Sequence, residues 1–145
     1  MNKNLIQSLI LFKKSFYSLV NEQCQKLNLT SAELFLLGIL FKEGDLHQIE
    51  IAKNLDCDKA HIHRLTAKLI EKGYVSLVDC HHGKNQKLHL SELGEEKAKL
   101  FDQIISSVKA IIFRGVSEEE ITVTQKTIEK FAKNVSQIKE EKKDV

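Results

Sequence analysis

Residues 48–75 read QIEIAKNLDCDKAHIHRLTAKLIEKGYV, and this stretch decides the fold. Ile49, Ile51, Ala52 and Leu55 recur at helical spacing, so a short helix begins near Gln48. The polar link Asp56-Cys57-Asp58 stops it. Asp58 is then placed to accept backbone N–H groups at the head of a second helix. That helix runs over about Lys59–Lys72, with Ile62, Leu65, Leu69 and Ile70 as the expected buried stripe. Lys59, His61, His63, Arg64, Ala67 and Lys68 fall mostly off the stripe, and Gly73 suits the left-handed residue that ends a helix. Two short amphipathic helices joined by a tight polar turn form a helix-turn-helix, a unit whose second helix fits a DNA major groove.

Downstream of Gly73 the hydrophobic period falls from about 3.6 to 2. Tyr74–Val78 reads as a strand and Lys87–Leu90 as its return. The turn formers between them make a hairpin wing that carries His81, His82, Lys84, Asn85 and Lys87. Ser91 and Glu92 open a long helix that reaches about Phe113, and Ser117 followed by three glutamates caps a last one. The charged tail from Lys139 is expected to fray. Upstream, a first helix spans about Asn4–Leu27 with a wide apolar stripe, and Thr30 or Ser31 caps a second that stops at Gly44. The absence of proline and the six glycines fit long helices with short links. The fold class is mainly α, a winged helix-turn-helix with a small β-hairpin and long terminal helices.

The 145 residues, 42% hydrophobic and 29% charged, suit one globular domain with a real core. Net charge is only +2, yet residues 59–87 hold six Lys/Arg against two Asp/Glu, a local +4. His61, His63, His81 and His82 share that segment. Such a patch fits a nucleic-acid contact surface, and it also fits an ordinary solvated face. Three widely spaced cysteines suggest no disulfide framework, and a reducing cytoplasm is expected. Lys13 and Lys14 interrupt the N-terminal apolar stretch, which reads as helix rather than signal peptide. No apolar run spans a bilayer. The chain has no Gly-rich phosphate loop, no nucleophile elbow and no HExxH pair, so no enzyme and no cofactor are expected. His61 and His63 point about 200° apart on a helix and Cys80-His81-His82 are adjacent, so no zinc pattern is formed. Cys24 is either a small buried residue or a redox sensor.

The order helix, helix, helix-turn-helix, wing, long helix, terminal helix resembles the MarR family of winged-helix transcriptional regulators. The matching segments are LTSAELFLLGIL from Leu29, LHQIEIAKNLDCDKAHIHRLTAKLIEKGYV from Leu46 and LHLSELGEE from Leu88. The resemblance covers roughly Leu5–Val135 and is strongest over residues 29–94. It implies one domain over 1–145, with a winged-helix DNA-binding core at about 29–94 and dimerisation helices at about 1–28 and 95–140. It also implies a homodimeric, sequence-specific regulator, a repressor released by a small molecule or stress signal, with a pseudo-palindromic duplex as partner. On this reading His61 and His63 meet base edges, and Arg64 makes a bidentate guanine contact or clamps phosphate. Lys59, Lys68, Gln48 and Ser31 bind phosphate, and His81, His82, Lys84 and Lys87 track the next groove. An effector pocket is expected around Phe12, Phe16, Phe35 and Ile39. One departure stands out. The family usually carries Asp then Arg in the wing, where this chain reads Gly83-Lys84-Asn85-Gln86. Lysine offers a point charge rather than a planar fork. The altered wing makes a winged-helix interaction module with weakened or lost DNA binding the alternative, and the histidines and cysteines leave a metal- or redox-responsive regulator as another.

Overall fold

Helix α1 (Asn2–Gln25) leads to α2 (Ser31–Glu43), β1 (Leu46–His47), α3 (Gln48–Leu55) and α4 (Lys59–Glu71). Strands β2 (Val75–Asp79) and β3 (Gln86–Leu90) follow, then α5 (Glu92–Ile112) and α6 (Glu118–Lys143). This computed structural model describes residues 2–55, 57–79 and 86–143. The wing-tip candidates His81, His82 and Lys84, with Asn85, lie outside the described residues.

The helix boundaries follow local chemistry. Asn28 takes a left-handed φ of 55°, which ends α1 two residues before the expected Leu27. Thr30, the first of the two expected caps, accepts the Glu33 N–H at 3.1 Å and starts α2. Ser31 therefore falls inside the helix. At the far end of the chain α6 continues through Lys143, so the charged tail is helical over most of its length.

Two compact units arise along the chain, Met1–Val108 and Lys109–Val145. The first holds the core. Leu34, Leu36 and Leu37 of α2, Ile51 of α3, Ile62 and Leu69 of α4, and Leu88 of β3 are fully buried. Burial of such side chains contributes about 1.5–3 kcal/mol each. The sheet has strand order β1-β3-β2, all antiparallel, so the expected hairpin gains a third strand. Leu46 pairs with Leu88 and His47 with Lys87. A two-residue strand is too short to show a period, which is why Leu46–His47 carries no strand signal of its own. Among the described residues of α1 only Val20 and Cys24 are buried, while Leu5, Ile6, Ile10, Leu11 and Phe12 are exposed. In the second unit the last turn of α5 leads to Ser117. The Ser117 hydroxyl accepts the Glu120 N–H at 3.1 Å, and the Glu120 carboxylate accepts the Ser117 N–H at 2.8 Å. This reciprocal box starts α6, none of whose side chains is buried.

Candidate nucleic-acid interface

Helix α4 is held at both ends by its own sequence. The Asp58 carboxylate accepts the His61 N–H at 2.7 Å, as its place before the helix requires. At the other end Gly73, with φ 79°, sends its N–H to the Ile70 carbonyl at 3.0 Å. Tyr74 N–H reaches the Leu69 carbonyl at 2.9 Å, completing a Schellman stop with both side chains buried. Ser91 then ties this stop to α5. Its hydroxyl donates to the Gly73 carbonyl at 2.6 Å and accepts the Gly94 N–H at 3.0 Å. Its own N–H donates to the Tyr74 carbonyl at 3.1 Å.

The buried stripe of α4 is Ile62, Leu65, Thr66 and Leu69. Ile70, expected on that stripe, is 41% exposed, and Thr66 takes the place beside Ile62 instead. Thr66 and Ile70 lie four residues apart on nearly the same side of the helix, so the stripe keeps its direction and buries the earlier turn instead of the last one. At about 100° per residue, Ala60, Arg64, Ala67 and Glu71 point directly away from that stripe. His63 falls on one flank with Lys59, and His61 falls on the other with Lys68. Lys59, His63, Arg64 and Lys68 are exposed, whereas His61 is half-buried. Two alanines beside Arg64 leave the centre of this face low, which permits close approach by a partner surface.

On the His63 flank the fold builds a shallow concavity of about 520 Å³. Lys59 and His63 line it from α4, Gln48 and Ile49 from α3, His47 from β1, Leu77 from β2 and Gln86 from β3. Three expected site residues, Gln48, Lys59 and His63, thus meet in one place. His47 joins them through the pairing of β1 with β3, Leu77 and Gln86 from the hairpin and Ile49 from α3. Lys87 is half-buried in β3 between Val78 and His47. His89, also on β3, meets the Asp45 carboxylate at 2.8 Å and ties the sheet to the turn after α2.

Ser31 lies elsewhere. Its N–H donates to the Asn21 side chain at 3.3 Å, and its segment meets the opposite end of α4 through Glu33. The Glu33 carboxylate is 2% exposed and accepts from the Lys72 ammonium at 2.7 Å. The same ammonium donates to the Asn28 carbonyl at 3.0 Å. Cys24 is fully buried close by. Burial, and then the Glu33 carboxylate, push its thiol above the ordinary cysteine range. A raised thiol holds little thiolate, the form that oxidants and electrophiles attack.

The expected effector residues form part of an aromatic run. Phe12 and Phe16 lie 6.2 Å apart, Phe16 meets Tyr17 edge-on at 5.6 Å, and Tyr17 reaches Phe35 at 6.5 Å. Phe35 reaches Phe101 at 5.7 Å, and Lys42 sits 4.9 Å over that last ring. Ile39 is half-buried on α2. Among the described residues no group of three His, Cys, Asp or Glu is arranged to hold a metal ion, and no helix is long and apolar enough to cross a membrane.

The MarR family model matches residues 29–81. Solved structures extend the likeness to the whole fold. A MarR protein from Peptoclostridium difficile is 22% identical, with 94% of this chain and 90% of that one covered at a TM-score of 0.85. A putative MarR family transcriptional regulator from Listeria monocytogenes, complexed with 26mer DNA, is 19% identical, covering 91% and 89% at 0.83. A mutant MarR from E. coli, complexed with operator DNA, is 18% identical, covering 88% and 93% at 0.81.

Proposed function

We propose that this chain, whose residues 29–81 match the MarR family model, is a DNA-binding transcriptional regulator that acts as a homodimer. One observation carries the reading. The capped helix α4 turns Arg64 and two alanines outward, with Lys59 and His63 on one flank and His61 and Lys68 on the other. In the major groove Arg64 contacts guanine or clamps phosphate, and Lys59 and Lys68 bind phosphate. His61 and His63 meet base edges on opposite sides of the helix. Gln48 reaches the backbone from the concavity beside Lys59, Ser31 from the far end of α4. Lys87, with His81, His82 and Lys84 of the wing, follows the adjacent groove.

The homodimer rests on two apolar faces. In one unit Leu5, Ile6, Ile10, Leu11 and Phe12 of α1 are exposed, and in the other Val123, Ile128, Phe131, Val135 and Ile138 of α6 are exposed. Contiguous apolar surface of this kind marks an interaction site. A two-fold pair presents two copies of α4 about 34 Å apart, matching successive turns of a pseudo-palindrome. We assign repression relieved by a small apolar or aromatic molecule to the aromatic run around Phe12, Phe16, Phe35 and Ile39.

The test is a mobility shift with the segment upstream of the chain's own gene, repeated across salt. Affinity is expected to fall steeply as salt rises, because phosphate contacts release counterions. Arg64→Ala is expected to lose about 1–3 kcal/mol at the specific site, roughly 5- to 150-fold, while the dimer persists in gel filtration. A normal shift by Arg64→Ala refutes the placement of the reading helix. The wing sequence Gly83-Lys84-Asn85-Gln86, without Asp and Arg, favours the second reading of a protein-interaction module. A shift that is absent or insensitive to salt supports that reading instead.

A further inference from the structure

The exposed face of α4 accounts for DNA contact, but it leaves the Lys72–Glu33 pair unexplained. This pair is chemically unusual for the chain. Glu33 is the one acidic side chain buried among the described residues. Its partner comes from 39 positions away in sequence. A buried ion pair is a poor source of stability, since desolvating both charges offsets their attraction. It is a strict source of geometry, because a buried charge tolerates little displacement of its partner. Here that geometry acts on one element. Lys72 is the residue that closes α4, and its ammonium is fixed by the first turn of α2 and by the Asn28 carbonyl just after α1.

We propose that Glu33 and Lys72 position the reading helix, fixing its C-terminal end to the α1–α2 connector so that a shift of α1 is carried directly into α4. The lever is favourable. The 13 residues of α4 span about 20 Å, so a tilt of about 5° about Lys72 moves Lys59 by roughly 2 Å. That displacement exceeds the whole range over which a hydrogen bond to a phosphate oxygen survives, about 2.7–3.2 Å between heavy atoms. The other grip on this end of α4, the Ser91 bonds to Gly73 and Tyr74, leads to α5 and not to α1. Lys72 is therefore a polar link from the reading helix to the connector behind α1, beside the packing of α2 against both α1 and α4. Two of its three donors are engaged, and its side chain is 29% exposed.

The inference rests on α4 being the DNA-reading helix, and the experiment separates the two claims. Glu33→Gln keeps a hydrogen-bond acceptor but removes the charge that orients Lys72, and it leaves the lysine cation available. Glu33→Met/Lys72→Met removes both charges while keeping an apolar filling, so the fold is retained. Binding of both to the upstream DNA fragment is measured across salt. Hydrogen exchange of the Lys72, Gly73 and Tyr74 amides is followed without DNA. Positioning predicts binding at least tenfold weaker in both variants, with the salt slope of Glu33→Gln parallel to the parent. It also predicts about tenfold faster exchange at the three amides. If Lys72 were only a phosphate contact, Glu33→Gln would bind as tightly as the parent or tighter. The double variant would then lose about one unit of salt slope with no change in exchange. Either result overturns the proposal, as does parental binding by the double variant. A parent chain that shifts no DNA sinks the proposed function, and the exchange measurement then decides the positioning role alone.

Discussion

Gly94 offers the sharpest test of the architecture, because helix propensity and the fold predict opposite signs there. Gly94 lies in the first turn of α5, where alanine ordinarily stabilises a helix by up to about 1 kcal/mol. In the folded chain an added Cβ would run into the backbone carbonyl of Tyr74 and press on Leu90 at 3.2 Å. A carbonyl cannot rotate aside as a flexible side chain would, so the overpacking cost falls at the upper end, about 3 kcal/mol. Displacing that carbonyl also breaks its bond from the Ser91 N–H, a further loss of about 1 kcal/mol. Subtracting the propensity gain leaves a net loss of about 3 kcal/mol. At about 3 °C per kcal/mol for a chain of this size, Tm should fall by about 9 °C. Gly73→Ala provides the scale. That glycine has nothing within 4 Å of a new Cβ but carries a φ of 79°, so the cost is backbone strain alone, about 1 kcal/mol or 3 °C. Thermal unfolding followed by circular dichroism at one protein concentration measures both, since the proposed dimerisation would make Tm concentration-dependent. A Gly94→Ala protein that melts at or above the parent refutes the close approach of α5 to the end of α4.

Three further outcomes follow from the structure. Among the described residues the buried Thr66 hydroxyl has no hydrogen-bond partner, so Thr66→Val should gain about 1 kcal/mol in urea unfolding, and a loss would reveal a hydrogen bond to that oxygen. Cys24 should resist thiol reagents near neutral pH until the chain unfolds, because its thiol is raised by burial and by Glu33. The stability this thiol contributes is present below the ordinary cysteine range and is lost as pH rises through its folded value, so rapid labelling of the native chain would contradict the burial. Glu120 should titrate below the ordinary glutamate range in a carboxyl-detected NMR titration, because the Ser117 backbone N–H and then its hydroxyl favour the carboxylate. Its contribution to the start of α6 is present above that range and lost as pH falls through the lowered value, so an ordinary titration would mean the box is open.

What could be read without coordinates was whatever depends on neighbours along the chain. Asp58, Thr30, Gly73 and Ser117 each act within a few residues of themselves, and each caps or stops the helix its local sequence indicates. The helical period marked α4, and the order of elements along the chain carried the resemblance to the MarR family. Phe12, Phe16 and Phe35 were grouped only through the family resemblance, and their run through Tyr17 to Phe101 crosses three helices, so it is a long-range feature. The concavity beside α4 was not legible. His47 joins Lys59 and His63 only because β1 pairs with β3, and two residues of strand carry no periodic signal. The exchange of Ile70 for Thr66 on the buried face depends on which turn of α4 its neighbours cover, and spacing alone does not give that. Nothing in the local sequence pairs Glu33, in the first turn of α2, with Lys72 at the end of α4. Their meeting is a long-range contact, and its energy resides in the low-dielectric site that only the folded chain creates.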